Sequence, residues 1–221
     1  MNLVVTGASG ALGKAVVMAL IEQGHAVAAL DSAVGDHAPA PTAQIIVADL
    51  ADPKMATAAL QQAHDALGAI DGIIHLAGGF DWRLFGESSV SDWRQMFAAN
   101  VETSVATIGA ALPLISDGGA ILCVGAASAQ PAGAGMAAYA AAKSGVARLV
   151  EALSVELRDR RIRANAILPS IIDTPRNRAD MPDADFTQWT STAAITDTVA
   201  FLISPAARAI NGASIPVTNA A

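Results

Sequence analysis

The chain has 221 residues, 53% of them hydrophobic and 15% charged, which is enough apolar surface for an ordinary α/β core and too much for a disordered chain. Thirteen basic against twenty acidic residues leave a formal charge of -7, so neither nucleic acid nor an anionic membrane is an expected partner. One cysteine, Cys123, and four scattered histidines, His25, His37, His64 and His75, give no disulfide framework and no zinc-ligand spacing. No metal is expected. A reducing cytoplasm is the expected compartment, and the opening residues carry no basic leader of an export signal.

Strand-like runs occur at Leu3 to Thr6, His25 to Leu30, Gln44 to Ala48, Gly72 to Leu76, Ala120 to Val124, Ile162 to Leu168 and Ser214 to Val217. They alternate with helical periodicity at Ala11 to Glu22, Met55 to Leu67, Ser91 to Leu112, Met136 to Arg158 and Thr196 to Ile203. That order predicts an α/β fold, a single-domain doubly wound parallel sheet of Rossmann-like type over residues 1–221, with helices on both faces. The segments Asp31 to Thr42 and Ser170 to Thr192 read as irregular, and the second, residues 170–192, is long enough to act as a lid over a substrate. The uncharged stretch Gly118 to Ala142 is interrupted by Gly118, Gly119, Gly125 and Pro131, so it reads as a strand, a loop and a helix start rather than a membrane span.

The first strand runs into Thr6-Gly7-Ala8-Ser9-Gly10-Ala11-Leu12-Gly13 and then directly into a helix. Glycines at a strand-to-helix turn let backbone approach a pyrophosphate, whose charge the free N–H groups of the helix start stabilise. The second strand ends at Asp31, 18 residues past Gly13, where a carboxylate accepts hydrogen bonds from ribose hydroxyls and repels a 2′-phosphate. No lysine or arginine follows within residues 31–42, so NAD(H) is the expected cofactor and NADP(H) the less favoured one.

In Tyr139-Ala140-Ala141-Ala142-Lys143 a phenol and an ammonium stand at i and i+4 on one helix face. A tyrosine with a pKa of about 10 is a poor acid–base group at neutral pH, and a neighbouring Lys⁺ is expected to lower it. On the same helix Ala138, Ala142, Gly145, Leu149 and Ala152 form a face of mostly small residues suited to close helix contact, either between subunits or within the chain.

Taken together these motifs resemble the short-chain dehydrogenase/reductase family along essentially the whole chain. Further matches are Asp49-Leu50 after the third strand, Ala77-Gly78 after the fourth, Asn100-Val101 in the Ser91 to Leu112 helix, and Pro169 to Thr174 after the sixth strand. The resemblance implies that Tyr139 exchanges the proton, Lys143 binds nicotinamide ribose and tunes the tyrosine, and Asn100 helps to hold a relay water. It implies cofactor contacts from Gly7, Ser9, Gly10, Ala11, Leu12, Gly13, Asp31, Asp49, Leu50, Ala77, Gly78, Gly79, Tyr139, Lys143, Pro169, Ile172 and Thr174, a small-molecule substrate, and a homodimer or homotetramer.

Two positions depart from the family pattern. Ala11 stands where a middle glycine is usual, and Ala126, 13 residues before Tyr139, stands where the substrate-orienting serine is expected; Ser128 is the nearest substitute hydroxyl. Ala77-Gly78-Gly79, the missing serine, Gly135-Met136 before the tyrosine, and the segment from Asp173 through Phe186 with Trp189 resemble the dihydropteridine-reductase-like subgroup. Its implied substrate is a small, planar carbonyl or imine-like molecule. Phe80, Trp82, Phe85, Trp93 and Trp189 are candidates for a flat pocket, Arg178 for an anion site or a lid salt bridge, and His75 and Cys123 for structural roles. The competing readings are a carbonyl or alcohol dehydrogenase of another substrate and a non-catalytic dinucleotide sensor; an extended-branch epimerase needs a larger substrate region.

Overall fold

The computed structural model describes residues 1–218, and the last three residues of the expected 1–221 unit lie outside the described residues. Among the described residues the strands are β1 (Asn2–Thr6), β2 (Ala26–Asp31), β3 (Ala43–Ile46), β4 (Ile70–His75), β5 (Ile115–Val124), β6 (Arg163–Pro169) and β7 (Ser214–Val217). They form one sheet in the order β3-β2-β1-β4-β5-β6-β7, with every pair parallel. The helices are α1 (Ala11–Glu22), α2 (Pro53–Leu67), α3 (Val90–Phe97), α4 (Thr103–Ala111), α5 (Ala137–Glu156), α6 (Pro175–Asp180) and α7 (Thr192–Ile203).

Alternation along the strands builds two cores. Leu3, Val5, Val27 and Ala29 pack with Val16, Val17 and Leu20 of α1 and Ile195 and Val199 of α7, while Val4, Ala28 and Leu30 pack on the other face with Leu60 of α2, Ile108 of α4 and Val146 and Val150 of α5. Both faces of the sheet are therefore covered, as a parallel sheet requires. The strand order reverses between β1 and β4, so a crevice opens at their carboxyl ends, where Thr6 and His75 are register partners.

Several boundaries differ from the periodicity, each for a local reason. Helix α2 starts two residues early because the Asp52 side chain accepts from the N–H groups of Lys54 and Met55 and Pro53 fits its first turn. Helix α7 begins at Thr192 rather than Thr196, with Ser191 capping the Ala194 N–H. The Asp117-Gly118-Gly119 turn signal lies inside β5, which pairs Ile70 with Ile115 and then, after an irregularity, Gly72 with Ala120. The 170–192 segment is ordered: Thr174 caps α6, which has Pro175 in its first turn, and a 3₁₀ turn follows at Phe186–Gln188.

The expected single helix from Ser91 to Leu112 is interrupted by a π turn at Ala98–Glu102 between α3 and α4. Against this turn lies the small-residue face of α5: Ala142 packs with Met96 and Val101, Ala138 lies against that cluster, and a methyl added at Gly145 would come within 3.3 Å of Val101. Leu149 joins the core beneath. At Ala138, Ala142 and Gly145 this face thus makes an intramolecular contact with α3 and the π turn. Within Gly118–Ala142 the chain passes from strand through loop to helix, and among the described residues no helix is long and apolar enough to cross a membrane.

Candidate active site

The glycine turn separates two jobs. Gly7 has a positive φ of 65°, and a side chain there would come 2.8 Å from the Ala77 nitrogen; at Gly13 an added Cβ would fall 2.0 Å from the Gly7 carbonyl oxygen. These two glycines let the turn fold onto itself. Gly10, by contrast, meets only the Gly7 oxygen at 3.4 Å and is the N-cap of α1 without a side-chain cap, so the helix start presents uncapped N–H groups beside exposed Ala11 and half-buried Leu12. That surface suits a pyrophosphate.

Asp31 closes one side of this cradle. Its carboxylate accepts from the N–H groups of Ser9 at 2.8 Å and Ser32 at 2.6 Å, tying the end of β2 to the glycine turn. Partial burial pushes its pKa up, but the hydrogen bonds from Ser9 and Ser32 outweigh this and hold the carboxyl below its ordinary range. Asp49 accepts from the Ala51 N–H at 2.8 Å, and Leu50 is buried in the core beneath.

At the other end, Lys143 from α5 meets Asn100 from the π turn at Gly78, and Tyr139 stands one helical turn before the lysine. The Asn100 side chain donates to the carbonyls of Gly79 at 3.0 Å and Met96 at 2.9 Å and accepts from the Gly79 N–H at 3.2 Å, which fixes its amide orientation. Ser104 donates to the Asn100 carbonyl at 2.6 Å, a contact that no sequence motif signals. A methyl on Gly78 would come 2.7 Å from Asn100 Oδ1 and 3.1 Å from Lys143 Nζ, so only glycine lets these side chains approach each other.

Lys143 is buried, and its Nζ donates to the Val124 carbonyl at 2.9 Å while standing 5.9 Å from the centre of the Tyr139 ring. Burial lowers its pKa to about 8. Burial raises that of Tyr139 to about 12, opposite to the lowering expected from the i, i+4 spacing. Desolvation of the phenolate dominates here, because the ammonium is anchored on a strand carbonyl.

Behind the site, His75 links the two halves of the crevice. The Ala77 N–H donates to Thr6 Oγ1 at 3.3 Å, Thr6 Oγ1 lies 2.9 Å from His75 Nδ1, His75 Nε2 lies 3.4 Å from Thr103 Oγ1, and Thr103 donates to the Ala99 carbonyl at 2.8 Å. With one proton per hydroxyl, the chain of donors assigns the Nε2–H tautomer. Burial and then the Lys143 charge push the His75 pKa down to about 3, so the ring stays neutral in the fold, whereas an unfolded histidine protonates below its ordinary 6.5. Stability that depends on this ring is therefore present above about pH 6.5 and lost as pH falls toward 3, by about 1.4 kcal/mol per pH unit. Denaturant unfolding of the wild type and His75→Gln at pH 7 and pH 5 is expected to show an acid loss smaller by about 2 kcal/mol in the variant; equal losses would refute this assignment.

Of the aromatic candidates, Phe80 lies against the tyrosine and Trp82 against the loop that precedes α5. Phe80 makes an edge contact with Tyr139, ring centres 4.9 Å apart, and Trp82 covers Gly135, where a Cβ would fall 2.3 Å from the indole. Both remain more than half exposed. Phe85 packs edge-on with Trp93, and Trp189 is buried against Phe186, so these three shape loops. Arg178 makes a salt bridge within the 170–192 segment, bidentate to Asp173 at 2.6 and 2.7 Å, and lies over the Phe186 ring. Cys123 is buried and burial pushes its thiol up to about 12, which keeps it unreactive.

The remaining predicted residues lie at the end of β6 and in the segments that follow β5 and β6. The Pro169 carbonyl accepts from the Ala127 N–H at 2.9 Å, Ile172 bridges to Thr190, and Thr174 serves as the α6 cap. Ala126 is buried, and Ser128 is half-buried two residues along the same loop. Thr190, near the end of the 170–192 segment, donates to the Val217 carbonyl at 3.1 Å and lies 2.6 Å from the Ser170 hydroxyl.

Comparison with known proteins agrees with this geometry. Residues 1–185 match the family model described as short chain dehydrogenase, and the chain belongs to the short-chain dehydrogenase/reductase family of oxidoreductases. It is 28% identical to 2-(R)-hydroxypropyl-CoM dehydrogenase of Xanthobacter autotrophicus, covering 98% of this chain and 96% of that one, and 29% identical to acetoacetyl-CoA reductase of Synechocystis sp., covering 93% and 89%. Among solved structures, a short chain dehydrogenase from Burkholderia cenocepacia in complex with NADP is similar with a TM-score of 0.90 at 28% identity, covering 99% of this chain and 96% of that one. The family binds nicotinamide dinucleotides.

Proposed function

We propose that this protein is an NAD(H)-preferring reductase of a small, planar, conjugated carbonyl or imine-like substrate, with Tyr139, Lys143 and Asn100 as its working residues. The observation that carries this reading is the approach of Asn100 and Lys143 to Gly78, with the Tyr139 ring centre 5.9 Å from Lys143 Nζ, at the crevice that the glycine turn and Asp31 border. The residues fit a dinucleotide: the turn is clear above Gly10, and Asp31 is held as a carboxylate. In this reading Gly7, Ser9, Gly10, Ala11, Leu12 and Gly13 surround the pyrophosphate, Asp31 takes the adenosine ribose, Asp49 and Leu50 border the adenine, and Ala77, Gly78, Gly79, Lys143, Pro169, Ile172 and Thr174 border the nicotinamide half.

When bound, the reduced nicotinamide supplies the hydride. Tyr139, protonated across the physiological range, donates its proton to the anion that develops on the substrate. Below about pH 8 Lys143 is an ammonium, whose charge stabilises the resulting phenolate. Above that pH the assistance is lost, so reduction is expected to slow as pH rises through 8. Asn100, locked by three hydrogen bonds, holds the relay side of the site. A protonated resting phenol favours the reductive direction.

Three features support a planar, conjugated substrate: Ala126 offers no hydroxyl to a developing alkoxide, the half-exposed Phe80 ring lies edge-on to the tyrosine, and the Ala77 to Gly79 and Asp173 to Trp189 segments resemble the dihydropteridine-reductase-like pattern. The names of the hydroxypropyl-CoM and acetoacetyl-CoA relatives favour a second reading, reduction of a ketone or oxidation of a secondary alcohol. NADH oxidation assayed against quinonoid dihydropterin, quinones, acetoacetyl-CoA and simple ketones separates the two. Ala126→Ser is expected to raise turnover of simple ketones at least tenfold by restoring a donor to the oxyanion; no gain would mean that another group already serves the carbonyl. In this proposal the chain works as one domain in the cytoplasm, residues 170–192 close over the substrate, and the exposed Phe97, Val105 and Val155 of α3, α4 and α5 contribute to a homo-oligomeric contact.

A further inference from the structure

In the loop between β2 and β3, His37 is 8% exposed, and neither ring nitrogen has a hydrogen-bond partner. An unpaired buried polar group costs on the order of 1–3 kcal/mol, so such a ring calls for a ligand-side explanation. It lines a small pocket together with Ser9, Asp31, Gly35 and Gln44. The neighbouring polar groups are engaged: Asp31 accepts from Ser9 and Ser32, and Gln44 Oε1 accepts from the Gly35 N–H at 3.1 Å. Gly35 makes room for the imidazole, since a methyl there would fall 2.3 Å from Nε2. His37 is thus left with two buried ring nitrogens open for hydrogen bonding in the pocket that Asp31 also lines.

The charges acting on this ring come from three elements: Lys14 of α1, Asp31 at the end of β2, and Asp36 in the loop. Burial and Lys14 hold the imidazole below its ordinary pKa, with the two carboxylates acting in the opposite direction. The fold thus brings a lysine to a loop that has no basic residue of its own. One lysine against two carboxylates leaves this corner at a net charge of about -1 with His37 neutral and about zero with it protonated, and a phosphate monoester brings about -1.5 to -2.

We propose that His37 is a proton-operated selector at the adenosine end of the dinucleotide site: neutral, it leaves Asp31 to favour NAD(H); protonated, it acts with Lys14 to admit the 2′-phosphate of NADP(H). The proposal rests on the reading that places the adenosine ribose at Asp31. Binding of NADPH then takes up a proton and binding of NADH does not, so the preference between them moves with pH.

The test is calorimetric titration of NADH and NADPH, without substrate, in two buffers of different ionisation heat at pH 7, repeated at pH 6 and pH 8. The expected result is uptake of about half a proton at pH 7 with NADPH and none with NADH, and a gain of about tenfold in the affinity of NADPH relative to NADH between pH 8 and pH 6. In His37→Gln both the uptake and the pH-dependent gain are expected to disappear; titration of the phosphate itself is common to both proteins and cancels in the comparison. No proton uptake in the wild type, or uptake that persists in the variant, overturns the proposal while leaving the dinucleotide site intact. If neither nucleotide binds at any pH, the underlying site reading fails as well. Should that variant not fold, His37→Asn is compared with the wild type in the same way, and uptake that persists in it overturns the proposal.

Discussion

Replacing Tyr139 by phenylalanine is expected to lower kcat about a thousandfold, within the range that a positioned general acid supplies, while NADH still binds. The substitution removes one oxygen atom and keeps the ring, with its edge contact to Phe80, so the wall of the site stays in place. Steady-state NADH oxidation and a separate fluorescence titration of NADH distinguish loss of chemistry from loss of binding. Turnover within tenfold of the wild type would mean that the proton comes from elsewhere and would remove the chief support for the reductase reading. The pH dependence adds a second criterion: with Tyr139 protonated to about 12 and Lys143 losing its charge near 8, the wild-type reductive rate is expected to fall on the alkaline side through the lysine, well before the phenol ionises.

The second large effect falls on the glycine turn. A methyl at Gly13 would lie 2.0 Å from the Gly7 oxygen and 2.7 Å from the Ala8 Cα, all rigid backbone, so Gly13→Ala must either push α1 off the turn or rearrange the turn itself. An overpacked site of this kind typically costs about 1–3 kcal/mol, and dinucleotide affinity is expected to drop at least a hundredfold because the N–H groups at the helix start lose their alignment. Gly10→Ala, whose methyl meets only one oxygen at 3.4 Å, is the matched comparison, with stability changed by less than about 1 kcal/mol. Thermal unfolding together with NADH titration of both variants checks the contrast. Equal loss in the two would show that the glycines act as a group and not through the packing described.

Much of this architecture was legible because local and global signals agree. Hydrophobic runs with period 2 and stretches with period 3.6 alternate, and the strand-to-helix turn at Gly7 to Gly13, the acid ending β2 and the Tyr139–Lys143 spacing each carry their geometry within a few residues. What the sequence hid depends on distant partners. The break in the Ser91 to Leu112 helix has no proline or glycine at Ala98–Glu102 to announce it, and becomes intelligible only with Val101 packed under Gly145 and Ala142. The cap at Thr174 with Pro175 signals α6, but six residues are too few for periodicity to register. The pKa of Tyr139 followed burial rather than its neighbour, and burial is a property of the whole fold. Lys14 likewise sits 17 positions before Asp31 in sequence, and only the packing of α1 brings its charge to the loop that holds His37.

The π turn carries a wider implication. A helix that absorbs one surplus residue widens for a single turn and then resumes its former phase, so α3 and α4 on either side can keep the faces they show to their neighbours. Asn100 sits within that widened turn, fastened by its own side chain to Gly79 and Met96. The scaffold and the reagent are thus written in separable letters.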